Sequence, residues 1–165
     1  MPHIVVREVQ GEEDIAVVRR LMQEYGEYLA HSPSGAASIC LTGYEQELGQ
    51  LPNGYDVLLL AEVDGNPAGC VALREIERPE RACEMKRLWV TSGFRGLSLG
   101  RRLIEEALAW AEQHSFEAMY LDTVPAAMPE ANRLYASLGF RPAERYNHNP
   151  IDGVAFFSKP LGNVR

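Results

Sequence analysis

Residues 95–102, Arg95-Gly96-Leu97-Ser98-Leu99-Gly100-Arg101-Arg102, gather three arginines and several small residues where an apolar stretch, Leu88, Trp89 and Val90, gives way to a helical pattern. That combination builds an anion site. The first turn of a helix has backbone N–H groups with no intrahelical partner and carries the positive end of the helix dipole, so a phosphate docks there without a dedicated side chain. Gly96, Ser98 and Gly100 keep the loop low, and Arg95, Arg101 and Arg102 add charge-assisted hydrogen bonds suited to a pyrophosphate.

Periodicity places the elements that must carry this loop. Residues 3 to 8 alternate as a strand, after which Ile15, Val18, Met22, Tyr25 and Leu29 recur at helical spacing. Turn formers and small residues over 31–38 predict a loop, placed to cover a pocket, before a short helix around Tyr44 to Leu51. Apolar runs at Asp56 to Val63 and Ala68 to Ile76 flank Asp64-Gly65-Asn66-Pro67, a hairpin signal, and a third strand follows at Ala82 to Val90. Leu99, Leu103, Ile104, Ala107, Leu108 and Ala111 mark one face of a helix that leads to a strand at Phe116 to Thr123. Ala131, Leu134, Tyr135 and Leu138 give a further helix stopped by Gly139, and Phe140 to Tyr146 and Val154 to Lys159 read as closing strands. A meander followed by strand–helix alternation predicts an α/β or α+β domain over 1–165. Its sheet is mixed, mostly antiparallel and twisted, with about seven strands and helices on both faces.

A chain of 165 residues, 46% of them hydrophobic, is long enough for one domain with a substantial core. Its formal charge of -7 argues against a nucleic-acid surface and gives a weak bias towards a cationic substrate. Cys40, Cys70 and Cys83 are too few and too scattered for a disulfide framework or a zinc knuckle, and read as buried thiols. No metal site is expected. The chain shows neither a basic-then-apolar leader nor an apolar run of membrane-spanning length, so a cytoplasmic protein that does not engage a membrane is expected.

Arg95 and Gly100, with Ser98 between them, resemble the pyrophosphate loop of the GNAT superfamily of acyl-CoA-dependent N-acetyltransferases, in which glycine usually stands where this chain has Ser98. A second likeness is Asn132-Arg133-Leu134-Tyr135-Ala136-Ser137-Leu138-Gly139-Phe140, similar to the family helix whose Asn and Tyr face the cofactor near its sulfur. The resemblance covers most of the chain. It implies acetyl-CoA as co-substrate, held by Leu88, Trp89, Val90, Arg95, Gly96, Leu97, Ser98, Leu99, Gly100, Arg101, Asn132 and Tyr135. It further implies that the strands flanking the long helix splay apart to admit the pantetheine arm.

Amide formation from a thioester needs an unprotonated amine, whereas an alkylammonium has a pKa near ~10.4. Glu84 stands about where the histone-modifying branch of the family has its catalytic glutamate, so the resemblance implies a base there; a solvated carboxylate or a partner for Lys86 or Arg87 is the plainer alternative. The departing thiolate, with a free-thiol pKa near ~8.5, is helped by a proton, and Tyr135 is the implied acid, against a plain core role. A backbone N–H near Val90 is the expected donor to the developing oxyanion. For the acceptor the candidates are Tyr25, Tyr28, His31, Asp122, Thr123, Tyr146, Asn147 and Asn149, each open to a bland reading as core, solvated loop or turn.

The resulting expectation is transfer of acetyl from acetyl-CoA to a primary amine of a small molecule. A protein or peptide amine, or a non-catalytic acyl-CoA sensor, are the alternatives. A Rossmann-type reading is disfavoured because the loop lacks the three-glycine fingerprint after an early strand. An exposed last strand is the expected edge for a homodimer.

Overall fold

The computed structural model describes residues 1–31 and 41–162. The expected loop at 31–38, from Ser32 onward, and Cys40 lie outside the described residues. Seven strands and four α-helices follow one another as β1 (Ile4–Glu8), α1 (Gly11–His31), α2 (Leu41–Gly49), β2 (Val57–Val63), β3 (Asn66–Ile76), β4 (Ala82–Val90), α3 (Leu99–Gln113), β5 (Ala118–Thr123), α4 (Pro129–Ser137), β6 (Arg141–Pro142) and β7 (Ala155–Pro160). They form one sheet in the order β1-β2-β3-β4-β5-β7-β6, in which only the β4–β5 pair is parallel. The expected mixed, mostly antiparallel architecture is what the chain adopts.

Local chemistry explains the meander. Asp64 and Gly65 both take positive φ (51° and 83°), the mirror-image turn that matches strand twist, and set Val63 opposite Asn66. β2 and β3 are nearly continuous apolar runs because both faces are covered. On one face Leu59, Val71, Leu73, Cys83 and Met85 pack with Leu103, Ile104 and Ala107 of α3 and Tyr135 of α4. On the other, Leu58, Leu60, Cys70 and Ala72 pack with Val18, Leu21 and Met22 of α1 and Tyr44 and Leu48 of α2. Cys70 and Cys83 are buried free thiols, both pushed up to about 12 by burial.

Two departures from the expected strands shape the site. The stretch 140–146 is not a full strand: Arg141 and Pro142 pair with β7, the Ala143 N–H adds one bond to the Phe156 carbonyl at 2.8 Å, and the chain then leaves the sheet. β7 lies between β5 and β6 in the sheet, and the two-residue β6 pairs only with Phe157 and Ser158 of its outer edge. The second departure is a bulge in β4, where Val71 of β3 faces both Arg87 and Leu88, and Arg87 takes a left-handed φ of 63°. The bulge brings the strands so close beside Gly69 that a Cβ there would lie 2.7 Å from the Trp89 carbonyl oxygen. Gly69→Ala is therefore expected to lower stability by about 1–3 kcal/mol, the usual cost of overpacking, as read from urea unfolding.

Candidate active site

At the start of α3, Gly96 and Ser98 both adopt left-handed backbone, with φ of 89° and 60°. Ser98 is the N-cap but its hydroxyl makes no capping bond, and the first intrahelical bond of the segment runs from the Arg102 N–H to the Ser98 carbonyl at 3.1 Å. The amides of Leu99, Gly100 and Arg101 thus precede the helical ladder. A groove of about 270 Å³ runs past them, walled by Leu88, Trp89, Val90, Arg95, Gly96, Ser98, Leu99, Gly100 and Arg101 and by Ala131 and Leu134 of α4. Leu97 is not on its wall and packs with Val63, Ala68 and Leu99. Arg95 lines the groove with its guanidinium turned back, donating to the Val90 carbonyl from Nε (3.1 Å) and Nη2 (2.9 Å) and lying 4.9 Å from the Trp89 ring centre. Asn132 turns its amide nitrogen onto the Thr123 hydroxyl (3.1 Å) and the Met128 carbonyl (2.8 Å), and its buried Oδ1 has no hydrogen-bond partner among the described residues.

Beyond this groove lies a chamber of about 350 Å³. It exists because β4 and β5 pair only at Ala82–Ala118, Cys83–Met119 and Glu84–Tyr120 and then part. Leu88 and Met128 wall both spaces, so groove and chamber adjoin there. Of the expected acceptor residues, Tyr25, Asp122, Thr123 and Asn149 line the chamber. Tyr28, His31 and Tyr146 do not. Tyr28 is 40% exposed and lays its ring against Trp89, His31 bonds the Glu27 carbonyl through Nδ1, and the Tyr146 hydroxyl is spent on Glu84. Tyr135 reaches the chamber through the parting of the strands, and among the described residues nothing hydrogen-bonds its hydroxyl. Burial raises its pKa, so the group is held protonated.

Glu84 stands on β4, the strand expected to carry it, but off the chamber wall. It is 1% exposed; Oε1 accepts from Arg74 Nε at 2.9 Å and Oε2 from the Tyr146 hydroxyl at 2.5 Å. Its neighbours continue as a network in which Asn147 and Asn149 donate to Asp122 Oδ2 at 2.7 and 3.2 Å. Burial works against ionisation of Asp122, but Lys86, the two amides and Arg87 outweigh it and hold the carboxyl below its usual range.

Sequence reasoning did not assign Lys86, Arg87 and Glu47 to the chamber, although all three line it. Arg87 forks onto Glu47 of α2 through Nε (2.9 Å) and Nη2 (2.7 Å) and lies 4.9 Å from the Tyr44 ring centre. The Tyr55 hydroxyl completes the cluster with a 2.6 Å bond to Glu47. The signal available in the sequence was two adjacent cations in a strand otherwise buried, which a simple alternation cannot orient.

Residues 18–140 match the acetyltransferase (GNAT) family. The chain belongs to that family. Its GNAT relatives include an uncharacterized N-acetyltransferase of Schizosaccharomyces pombe, 41% identical over 105 residues, which are 64% of this chain and 63% of that protein. An N-acetylaspartate synthetase of Mus musculus is 37% identical over 95 residues, 58% of this chain and 31% of that protein. Thus the chain matches less than two thirds of the length of either relative. Among solved structures, a GNAT acetyltransferase of Staphylococcus aureus Mu50 superposes with a TM-score of 0.77 at 17% identity, covering 97% of this chain and 100% of that one. An acetyltransferase of Salmonella typhimurium, solved with acetyl-CoA, gives 0.68 at 16% identity, covering 98% and 95%. The GNAT fold is therefore shown by sequence family and by shape.

Within this GNAT loop the serine at position 98 sits where its side chain is disfavoured. A non-glycine residue in left-handed backbone costs about 1–2 kcal/mol, part of which is recovered because serine restricts the unfolded chain more than glycine does. Ser98→Gly is expected to raise unfolding stability by about 0.5–1 kcal/mol in denaturant titration.

Proposed function

We propose that the protein is an N-acetyltransferase that moves the acetyl group of acetyl-CoA to the primary amine of a small molecule. One observation carries the reading: the helix-start groove adjoins, at Leu88 and Met128, a chamber lined by Tyr135, whose hydroxyl is bonded by no described residue. The family match, the acetyl-CoA held by the Salmonella structure and the small product named for the mouse relative support it.

The residues present fit such a co-substrate. Amides 99–101 and the side chains of Arg95 and Arg101 suit its diphosphate, and Gly100 leaves a cradle in which a Cβ would stand 3.2 Å from Leu134. Asn132, whose Oδ1 has no partner among the described residues, is on neither wall but bonds Thr123 of the chamber and the Met128 carbonyl between the two spaces. When bound, acetyl-CoA supplies an activated acyl thioester, and the overall exchange forms a C–N bond, breaks a C–S bond and releases a thiol and a proton.

The chain's own residues divide the remaining work. Asp122, held ionised, binds the acceptor as an ammonium, and the neutral amine forms by loss of a proton to water. Tyr135, held protonated, keeps a proton ready for the leaving sulfur. Glu84, with both oxygens engaged, acts as a positioning residue that fixes Tyr146 and the surroundings of Lys86 and Asp122. A chamber of about 350 Å³ walled by α1, α2, β4 and β5 suits a small acceptor.

An amine-panel assay that detects free CoA thiol, with mass spectrometry of the product, tests the transfer; no thiol release with any amine by protein that binds acetyl-CoA would refute it. Tyr135→Phe tests the proton donor. Because the hydroxyl has no partner among the described residues, its removal should shift stability by less than about 0.5 kcal/mol, whereas loss of a general acid should lower kcat about 100-fold or more. Undiminished turnover would leave Tyr135 a packing role only.

A further inference from the structure

Lys86 and Asp122 are the first residues of their face beyond the last β4–β5 pair, Glu84 opposite Tyr120. Lys86 Nζ lies 3.8 Å from Asp122 Oδ1 and 3.9 Å from Glu84 Oε2, close enough for attraction but too far for hydrogen bonds. Among the described residues the Lys86 ammonium makes no hydrogen bond, although its side chain is only 16% exposed. Asp122, 10% exposed, has the complementary deficit: Oδ2 receives the amides of Asn147 and Asn149, and Oδ1 receives no hydrogen bond from a described residue. Both side chains line the chamber. The ammonium and a carboxylate oxygen thus stand side by side on the chamber wall, attracted to each other and with hydrogen-bonding capacity that no described residue uses.

A plain amine would satisfy Asp122 alone. A polyamine would bring a second positive charge against Lys86 and Arg87, and a peptide N-terminus places a neutral carbonyl where Lys86 calls for an anion. Arg87 is less available for that task, since two of its nitrogens are committed to Glu47. The molecule that meets both deficits carries an ammonium and a carboxylate on one carbon.

We propose that the acceptor is a free α-amino acid, its carboxylate taken by Lys86 and its ammonium by Asp122, with Lys86 the residue that distinguishes it from other amines. The inference deepens the acetyltransferase reading and rests on it. It also reverses the bias of the overall acidic charge, which favours a cationic acceptor at long range but does not determine the chamber wall.

The test compares matched acceptors: L-leucine with 3-methylbutylamine, and L-aspartate with its α-amide. Thiol release gives kcat/KM for each, and calorimetry gives binding of L-aspartate and L-leucine to the full chain. Wild-type protein should favour the carboxylate-bearing member of each pair by about 10- to 100-fold, the range of a charge-assisted bond in a shielded site. Lys86→Met, with Lys86→Gln as a second uncharged replacement, should bring that ratio close to unity through KM, and Lys86→Arg should restore part of it. Equal losses on both members would mark Lys86 as merely structural, and wild-type preference for the carboxylate-free amines would refute the proposal while leaving acetyl transfer intact. Should no amine be turned over, the acetyltransferase reading falls separately; Lys86-dependent heat from either amino acid would still support the zwitterion site, and its absence would overturn it.

Discussion

β4 and β5 stay paired for only three residues, and the rest of the site depends on that failure to pair. Parallel neighbours normally continue their ladder, because an unpaired buried amide or carbonyl is costly. Here the ladder ends at Glu84 and Tyr120, where the next residues of that face are Lys86 and Asp122. These charges attract across the gap at 3.8 Å without a backbone bond between their strands. The bulge at Arg87 turns β4 at the same place. Without it, Trp89 would share the face of Cys83 and Met85, which pack on α3; with one extra residue it packs instead on the α1 side, donating to Glu24 and meeting the rings of Tyr25 and Tyr28. Strand parting and phase reversal together open a passage through the sheet, by which Tyr135 on the α3 and α4 side reaches a chamber walled by α1 and α2.

Charge is disposed differently inside the chamber and over the molecule. The chain carries a formal -7, yet the chamber wall holds Lys86 and Arg87. Arg87 is neutralised by Glu47, which ties α2 to the bulge and supports a left-handed arginine that would otherwise be strained. Burial disfavours its charge, but the Glu47 bonds more than compensate and keep the guanidinium ionised. Among the described residues Lys86 has no such bidentate partner. Of two adjacent cations, one serves the fold and the other donates no hydrogen bond to a described residue.

Much of the fold was legible because local chemistry and tertiary demand agree. Asp64-Gly65 marks the hairpin, the pattern from Ala82 to Val90 matches β4 to the residue, and the apolar stripe from Leu99 to Ala111 is the buried face of α3. The loop at residues 95–101 was likewise visible, since glycine and serine before an amphipathic run are local signals. Where long-range polar bonds replace a ladder, the sequence misleads. Residues 143–150 look strand-like at their start, but Asn147 accepts the Asn149 N–H and Asn149 accepts the Ile151 N–H, so the chain turns and delivers both amides to Asp122. Arg87 was opaque for another reason: a bulge is set by the partner strand, and no residue of β4 announces it.

The same distinction bears on which groups do chemistry. Glu84 has the residue type of a base, and its carboxylate accepts from Arg74 on one oxygen and from Tyr146 on the other, an arrangement suited to holding a structure. Tyr135 presents the converse case, a residue type common in cores whose hydroxyl no described residue bonds where the strands part. Buried polar groups are ordinarily satisfied, so one left open at the meeting of two cavities points to a partner supplied from outside the fold. Among the described residues Asn132 Oδ1 is such a buried atom, while the Tyr135 hydroxyl, Asp122 Oδ1 and Lys86 Nζ belong to residues of the chamber wall and have bonding capacity that no described residue takes up. Glu84, more deeply buried, has both oxygens engaged by the protein itself.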